Sequence, residues 1–271
     1  MRIARFSMGG SAGVPAGDSA GEVAFGVVEG SPGEPGGARV ATLAGHPFSD
    51  ARLTGQRHRL ADVRLLPPVL PTKIVAVGGN YADRAGGSGG EAPEPAVVFL
   101  KPSTSVVGSG AAIVYPGQSR DVHYQAELAV VVGRLCREVP YERVPEVIFG
   151  YTCANDVTAS DLQRVEPQWG RAKGFDTFCP LGPWVETGLD PADVEVACTV
   201  NGERRQSGRT KQMVRTVADL VVHISEAMTL IPGDVILTGT PAGDGPLHLG
   251  DEVSVSVEGI GTLTNRVVSR G

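Results

Sequence analysis

The sequence predicts a mainly β, or α+β, protein. Short apolar runs alternate with polar residues at period two, Gly/Pro-rich turns separate them, and helical periodicity is rare. With 37 Gly and 20 Pro in 271 residues, few stretches are free of residues that break a helix. Many short strands closed by such turns mark packed sheets, not a helix bundle.

The elements follow in chain order. Ile3 to Phe6, Glu22 to Val28 and Arg39 to Leu43 read as short strands, with a Gly/Ser/Pro-rich interval from Ser31 to Gly37. Leu65 to Pro71 is proline-rich and reads as a stiff linker. Residues 1–66 are therefore expected to form a small N-terminal β domain, and 67–271 the main domain. Gly86 to Pro95 is Gly-rich and has the composition of a flexible loop. Val122 to Val132 reads as one buried strand, and Tyr151 to Val157 as another that ends in Asn-Asp. Lys173 falls between small residues in a segment expected to be a loop. Val194 to Val200 and Val253 to Val257 alternate as half-buried strands do. The best helix signal is Thr216 to Thr229, where Val217, Leu220, Val221, Ile224 and Met228 share a face behind Thr216 as N-cap. Pro232 to Gly243 reads as a turn, a strand and a Gly/Thr-rich loop.

Composition sets bounds. A chain of this length can bury a sizeable core, and 41% hydrophobic content is ordinary for a soluble protein. A net charge of −6 without any Lys/Arg run gives no footprint for nucleic acid. No stretch approaches the apolar length of a membrane span, and the start lacks the apolar core of a signal peptide. Cys136, Cys153, Cys179 and Cys198 lie far apart without a Cys-x-x-Cys pair. They are expected to be reduced thiols in a cytoplasmic protein.

The polar residues within apolar runs carry the chemistry. Side chains alternate along a strand, so Gln125 and Glu127 face one way and Ala126 and Leu128 the other. A buried carboxylate needs a partner: a hard cation bound through oxygen, or an Arg or backbone N–H. Asp156 closes the next strand, where it could serve only as a helix cap. The loop at Gly239 and Thr240 can offer N–H groups and a hydroxyl to an anion. His123 shares the face of Gln125, with a core hydrogen bond as its ordinary role and metal ligation as the alternative. Asp161 belongs most simply to the first turn of its helix. Trp169 and Trp184 flank the lysine segment and are expected to pack there, Trp169 with the option of walling a pocket.

In their order and spacing, several segments resemble the fumarylacetoacetate hydrolase superfamily. They are Lys73 to Asp83 (KIVAVGGNYAD), Val98 to Ser103 (VFLKPS), Glu127 to Gly133 (ELAVVVG), Asn155 to Val157 (NDV), Arg171 to Asp176 (RAKGFD), Gly233 to Pro241 (GDVILTGTP) and Gly259 to Leu263 (GIGTL). The resemblance implies a mixed β-roll, a distorted sandwich or barrel, behind a small N-terminal domain. It also implies Mg²⁺ or Mn²⁺ held by a Glu-x-Glu pair and a later Asp, which fall at Gln125, Glu127 and Asp156. Lys173 would steady a developing enolate, and Tyr81, Gln163, Gly239 and Thr240 would touch substrate. A homodimer is implied as well.

The chain departs from that pattern where the chemistry sits. Gln125 replaces the first Glu and removes one negative charge from the ligand set. Arg84 stands where hydrolytic members carry a His, and Gly87 where they carry a Glu. An Arg is a poor general base, although Arg84 can bind a carboxylate bidentately. Gly79 and Ser160 replace arginines. The expected function is conversion of a small keto acid or β-dicarbonyl compound through a metal-stabilised enolate, by isomerisation, decarboxylation or C–C cleavage. The missing dyad favours outcomes other than hydrolysis. Two alternatives keep the fold: a metal-independent enzyme such as a cyclase or isomerase of a specialised pathway, and a catalytically silent binding protein.

Overall fold

The computed structural model describes residues 1–8, 21–30, 37–83 and 96–270. Arg84, Gly87 and the Gly86 to Pro95 stretch lie outside the described residues, as does most of the Ser31 to Gly37 interval.

Strands dominate, as the alternating pattern requires. Among the described residues the largest sheet has 12 strands. Its centre is Ala126–Val132, flanked by antiparallel Ile148–Asn155 on one side and antiparallel Val235–Leu237 on the other. Val235–Leu237 pairs in parallel with Ile74–Gly78, which pairs with Val97–Lys101. In the other direction the sheet continues through Cys179–Glu186 to Arg2–Met8, Val23–Glu29, Arg39–Ala44 and Arg52–Arg59. The N-terminal strands are thus hydrogen-bonded into the same sheet, through Arg2 and Ile3 opposite Glu186 and Val185.

A second sheet of five strands runs Glu203–Arg209, Glu195–Val200, Glu252–Val257, Gly261–Ser269 and Ala112–Tyr115. The central strand shows why the two pack. Ala126, Leu128, Val130 and Val132 join one core with Val196, Cys198, Val255 and Leu263, while Ala129 and Val131 join another with Ile74, Ala76 and Leu237. Both faces of Ala126–Val132 are covered, so all seven residues are buried. The helix Val217–Ala227 lies where the periodicity places it, with a reciprocal cap between Thr216 and Asp219. No helix among the described residues is long and apolar enough to cross a membrane.

Two expectations are corrected. Val122 to Val132 is not one strand: Val122–Tyr124 belongs to a three-stranded sheet with Thr158–Ala159 and Gly245–Pro246, and Ala126–Val132 to the large one. Gln125 occupies the break, and its N–H turns to Asn155 Oδ1 at 2.9 Å instead of continuing a ladder. Lys173 sits in a short helix, Gly170–Gly174, and not in a loop. Its amide bonds the Trp169 carbonyl at 2.9 Å, which closes the turn that an isolated Gly-containing pentapeptide would not hold.

Candidate active site

The site forms where the central strand, its neighbour and three connecting segments meet. Ala126 pairs with Asn155 and Glu127 with Ala154. Asp156 N–H then bonds the Gln125 carbonyl at 2.8 Å, which fixes Gln125 and Asp156 side by side. Gln125, Glu127, Asp156, Gln163, Lys173 and Thr240 all line one cavity of about 160 Å³. Phe99 and Trp169 form its apolar wall, ring centroids 5.3 Å apart and edge to face. Gly78 lets the chain approach this wall, because a Cβ there would lie 3.0 Å from the Trp169 ring.

The polar side chains bind one another. Lys173 Nζ donates to Gln125 Oε1 at 2.8 Å and, by a short contact, to Asp156 Oδ2, and it lies 4.9 Å from the centre of the Phe99 ring. Lys101 Nζ donates to Asp156 Oδ1 at 2.7 Å and to the Val157 carbonyl at 3.2 Å. Both lysines are buried. Glu127 Oε2 accepts the Gly239 N–H at 2.7 Å. The loop N–H expected to meet an external anion is therefore engaged by the protein's own carboxyl. Gly239 has φ +96°, and a Cβ would lie 2.9 Å from that of Asn80, so this donor position requires glycine. Asn80 in turn donates to the Thr238 carbonyl at 2.8 Å and holds the loop. Gln206 accepts from the Ala126 N–H at 3.0 Å and donates to Thr240 Oγ1 at 2.9 Å.

Burial and charge divide the two carboxyls. Burial raises Glu127, the Asp156 charge raises it further, and Lys173 and the Gly239 N–H offset only part of this, so Glu127 stands well above the usual carboxylate range. Burial also works against Asp156, but the ammonium groups of Lys101 and Lys173 outweigh it and hold the carboxyl below its ordinary value. Lys173 is lowered by burial, with Asp156 opposing.

The remaining sequence candidates fall into place. Tyr81 is fully buried and does not line the cavity; burial and the Glu127 charge push its hydroxyl well up. His123 is half-buried, its Nε2 2.8 Å from Asp121 Oδ1. Trp169 walls the cavity, but Trp184 does not pack with it: its Nε1 donates to the Ile260 carbonyl at 2.8 Å and Arg2 lies over its ring. Asp161 accepts from Ser119 Oγ at 2.6 Å and the Arg120 N–H at 2.9 Å. Sequence reasoning missed Lys101 and Gln206. Lys101 ends an apolar run two residues after Phe99, so by alternation it shares the cavity face. Gln206 lies in an all-polar strand and gives no such signal.

Three oxygen donors facing one cavity suit a hard divalent cation. A cation, the Lys173 ammonium, already bridges two of them, and the third, Glu127, is a buried carboxyl without a cationic hydrogen-bond partner among the described residues. The residues fit Mg²⁺ or Mn²⁺. With Gln125 in the set, the carboxylates number two, and the described residues hold no cluster of three or more His, Cys, Asp and Glu suited to a metal.

Comparison with known proteins shows the family of the chain. A family profile described as fumarylacetoacetate (FAA) hydrolase C-terminal matches residues 73–268. A second, described as Rv2993c-like, N-terminal, matches residues 1–68. Protein Rv2993c of Mycobacterium tuberculosis is 50% identical over 252 residues, 92% of this chain and 95% of the relative. The human mitochondrial oxaloacetate tautomerase FAHD2A is 42% identical over 221 residues, 77% of this chain and 70% of the relative. The crystal structure of 5-carboxymethyl-2-hydroxymuconate delta-isomerase from Mycobacterium smegmatis superposes with a TM-score of 0.87 at 49% identity, covering 100% of both chains.

Proposed function

Because the chain belongs to the fumarylacetoacetate hydrolase family, we propose that this enzyme isomerises or tautomerises a small keto acid of the oxaloacetate type through an enolate. The observation that carries this reading is the buried Lys173 ammonium beside Gln125 and Asp156 in a small cavity. Charge that develops on a substrate carbonyl oxygen there meets a cation already desolvated and held in place, which strengthens the interaction over its value in water. Lys101 supports this by sharing Asp156, so Lys173 is not wholly neutralised by one carboxylate.

Gln125, Glu127 and Asp156 would hold Mg²⁺ or Mn²⁺, which supplies Lewis acidity to the substrate carbonyl. Thr240, anchored by Gln206, offers its hydroxyl to a substrate carboxylate, and Gln163 a second polar contact. Trp169 and Phe99 exclude water from that side. The cavity of about 160 Å³ lies below the range of drug-sized ligand pockets, which favours a short dicarboxylate over an extended one. Arg at 84 and Gly at 87 provide no base for water, so proton transfer is favoured over hydrolysis.

A metal-independent form of the same chemistry has one observation in its favour: Lys173 already bridges the Gln125 and Asp156 oxygens, and burial with the Asp156 charge beside it favours the protonated form of Glu127. Metal content of the purified protein separates the two. The deciding assay follows decay of the oxaloacetate enol in parallel with cleavage of acetylpyruvate, with and without Mn²⁺. Enol decay should be accelerated and acetylpyruvate left largely intact; efficient acetylpyruvate cleavage would overturn the proposal.

A further inference from the structure

Gln125 is an amide in the place of an expected acid, and an amide is useful to a cation in only one of its two orientations. Its oxygen must face the cavity and its NH₂ must face away. Two groups in this protein dictate that choice. Lys173 Nζ, which only donates, is 2.8 Å from Oε1, and Asp244 Oδ2, which as a carboxylate only accepts, is 3.3 Å from Nε2. Rotating the amide by half a turn would set NH₂ against an ammonium and oxygen against a carboxylate, two repulsions in place of two hydrogen bonds.

Asp244 is itself held to this task by the fold. Gly245 and Pro246 pair with Tyr124 and His123 immediately before Gln125, and Tyr124 Oη donates to the Gly243 carbonyl at 3.0 Å. Gly243 has φ +96°, and a Cβ would lie 2.5 Å from the Arg205 carbonyl oxygen, so the loop enters Asp244 by a path open only to glycine. His123 Nδ1 lies 3.8 Å from Asp244 Oδ2.

We infer that Asp244 is a positioning residue that locks the Gln125 amide with its oxygen toward the cavity, letting a neutral side chain serve as a cation ligand. This rests on the reading of the cavity as a cation-assisted enolisation site. It carries a consequence that a purely structural role lacks. Asp244 orients a Gln at 125 by accepting from its NH₂, a bond that a Glu there cannot donate, so its removal should cost more in the first background than in the second.

The test measures Mn²⁺ affinity by titration calorimetry for the native protein, Asp244→Ala, Gln125→Glu and the double variant. Asp244→Ala should weaken binding about tenfold in the native background, as loss of an outer partner does, and clearly less when Glu occupies 125. An equal loss in both backgrounds overturns the inference. A second measurement without metal follows the side-chain NH₂ signals of ¹⁵N-glutamine, with Gln125 assigned by its loss in Gln125→Glu. Asp244→Ala should shift that signal and speed its proton exchange; an unchanged signal contradicts the inference. If the native protein binds no Mn²⁺, the metal reading fails, and the amide signal alone decides whether Asp244 orients Gln125.

Discussion

Lys173 carries a charge into a buried site where bulk water screens it only weakly, and its neighbours decide what that charge can do. Asp156 alone would neutralise it, but Lys101 binds the other oxygen of the same carboxylate. Substitution Lys173→Ala should therefore lower kcat about 10²–10³-fold, the usual effect of removing one stabilising donor from a developing oxyanion. Steady-state kinetics on the keto acid would check this, and full activity would remove the enolate mechanism. Arg84→Ala should cost far less. At this scale Gln125 and Glu127 were legible as polar residues inside an apolar run, and Thr240 as part of a Gly/Thr-rich loop, whereas Asp156, Lys173 and Gln163 joined them only through the family resemblance; the six line one cavity. Lys101 carried the same signal, in the strand that also supplies Phe99. Asp244 and Gln206 did not, since a polar residue in a polar segment looks solvated until the fold brings it against a partner.

Short strands dominated the sequence pattern, yet one of them hid a junction. The break at Gln125 is invisible to periodicity because Tyr124 and Ala126 are both buried on either side of it; only pairing with two different sheets reveals it. The helix Gly170–Gly174 is too short to leave a periodic trace. A tertiary tie that the sequence did not disclose is Asp234, which accepts from Thr72 Oγ1 at 2.6 Å and from the Ile231 N–H at 2.9 Å and pairs with Lys73. It secures the parallel register between Val235–Leu237 and Ile74–Gly78 beneath the site. Burial would raise this carboxyl, but Lys73, Thr72 and Ile231 hold it below its ordinary value. Its folded-state pKa is depressed, so its contribution is present above the unfolded value and is lost as pH falls through the folded one. Asp234→Ala should cost about 2–3 kcal/mol at neutral pH and lose most of that difference in strong acid. Denaturant titrations of both proteins across that range would check it, and a pH-independent difference would contradict the assignment.

The whole molecule places a small polar cavity beside the junction of the large sheet and the three-stranded one, and the overall β-rich class followed from turn residues and alternation alone. What those could not supply was which strands neighbour one another, since Arg2–Met8 and Cys179–Glu186 pair across most of the chain. We propose a homodimer, on the resemblance set out above and on the closed symmetry that most soluble oligomers adopt. Light scattering should give about twice the chain mass of 28.1 kDa, and a monomer mass at tens of micromolar would count against it. The central claim, that the cavity stabilises an enolate, is tested most directly by solvent deuterium exchange at the carbon between the carboxylate and the ketone of oxaloacetate. Followed by proton NMR in D₂O with Mg²⁺ present, exchange should be accelerated by the native protein and fall about 10²-fold or more in Lys173→Ala. Exchange no faster than in buffer, or equally fast with Lys173→Ala, would contradict the account.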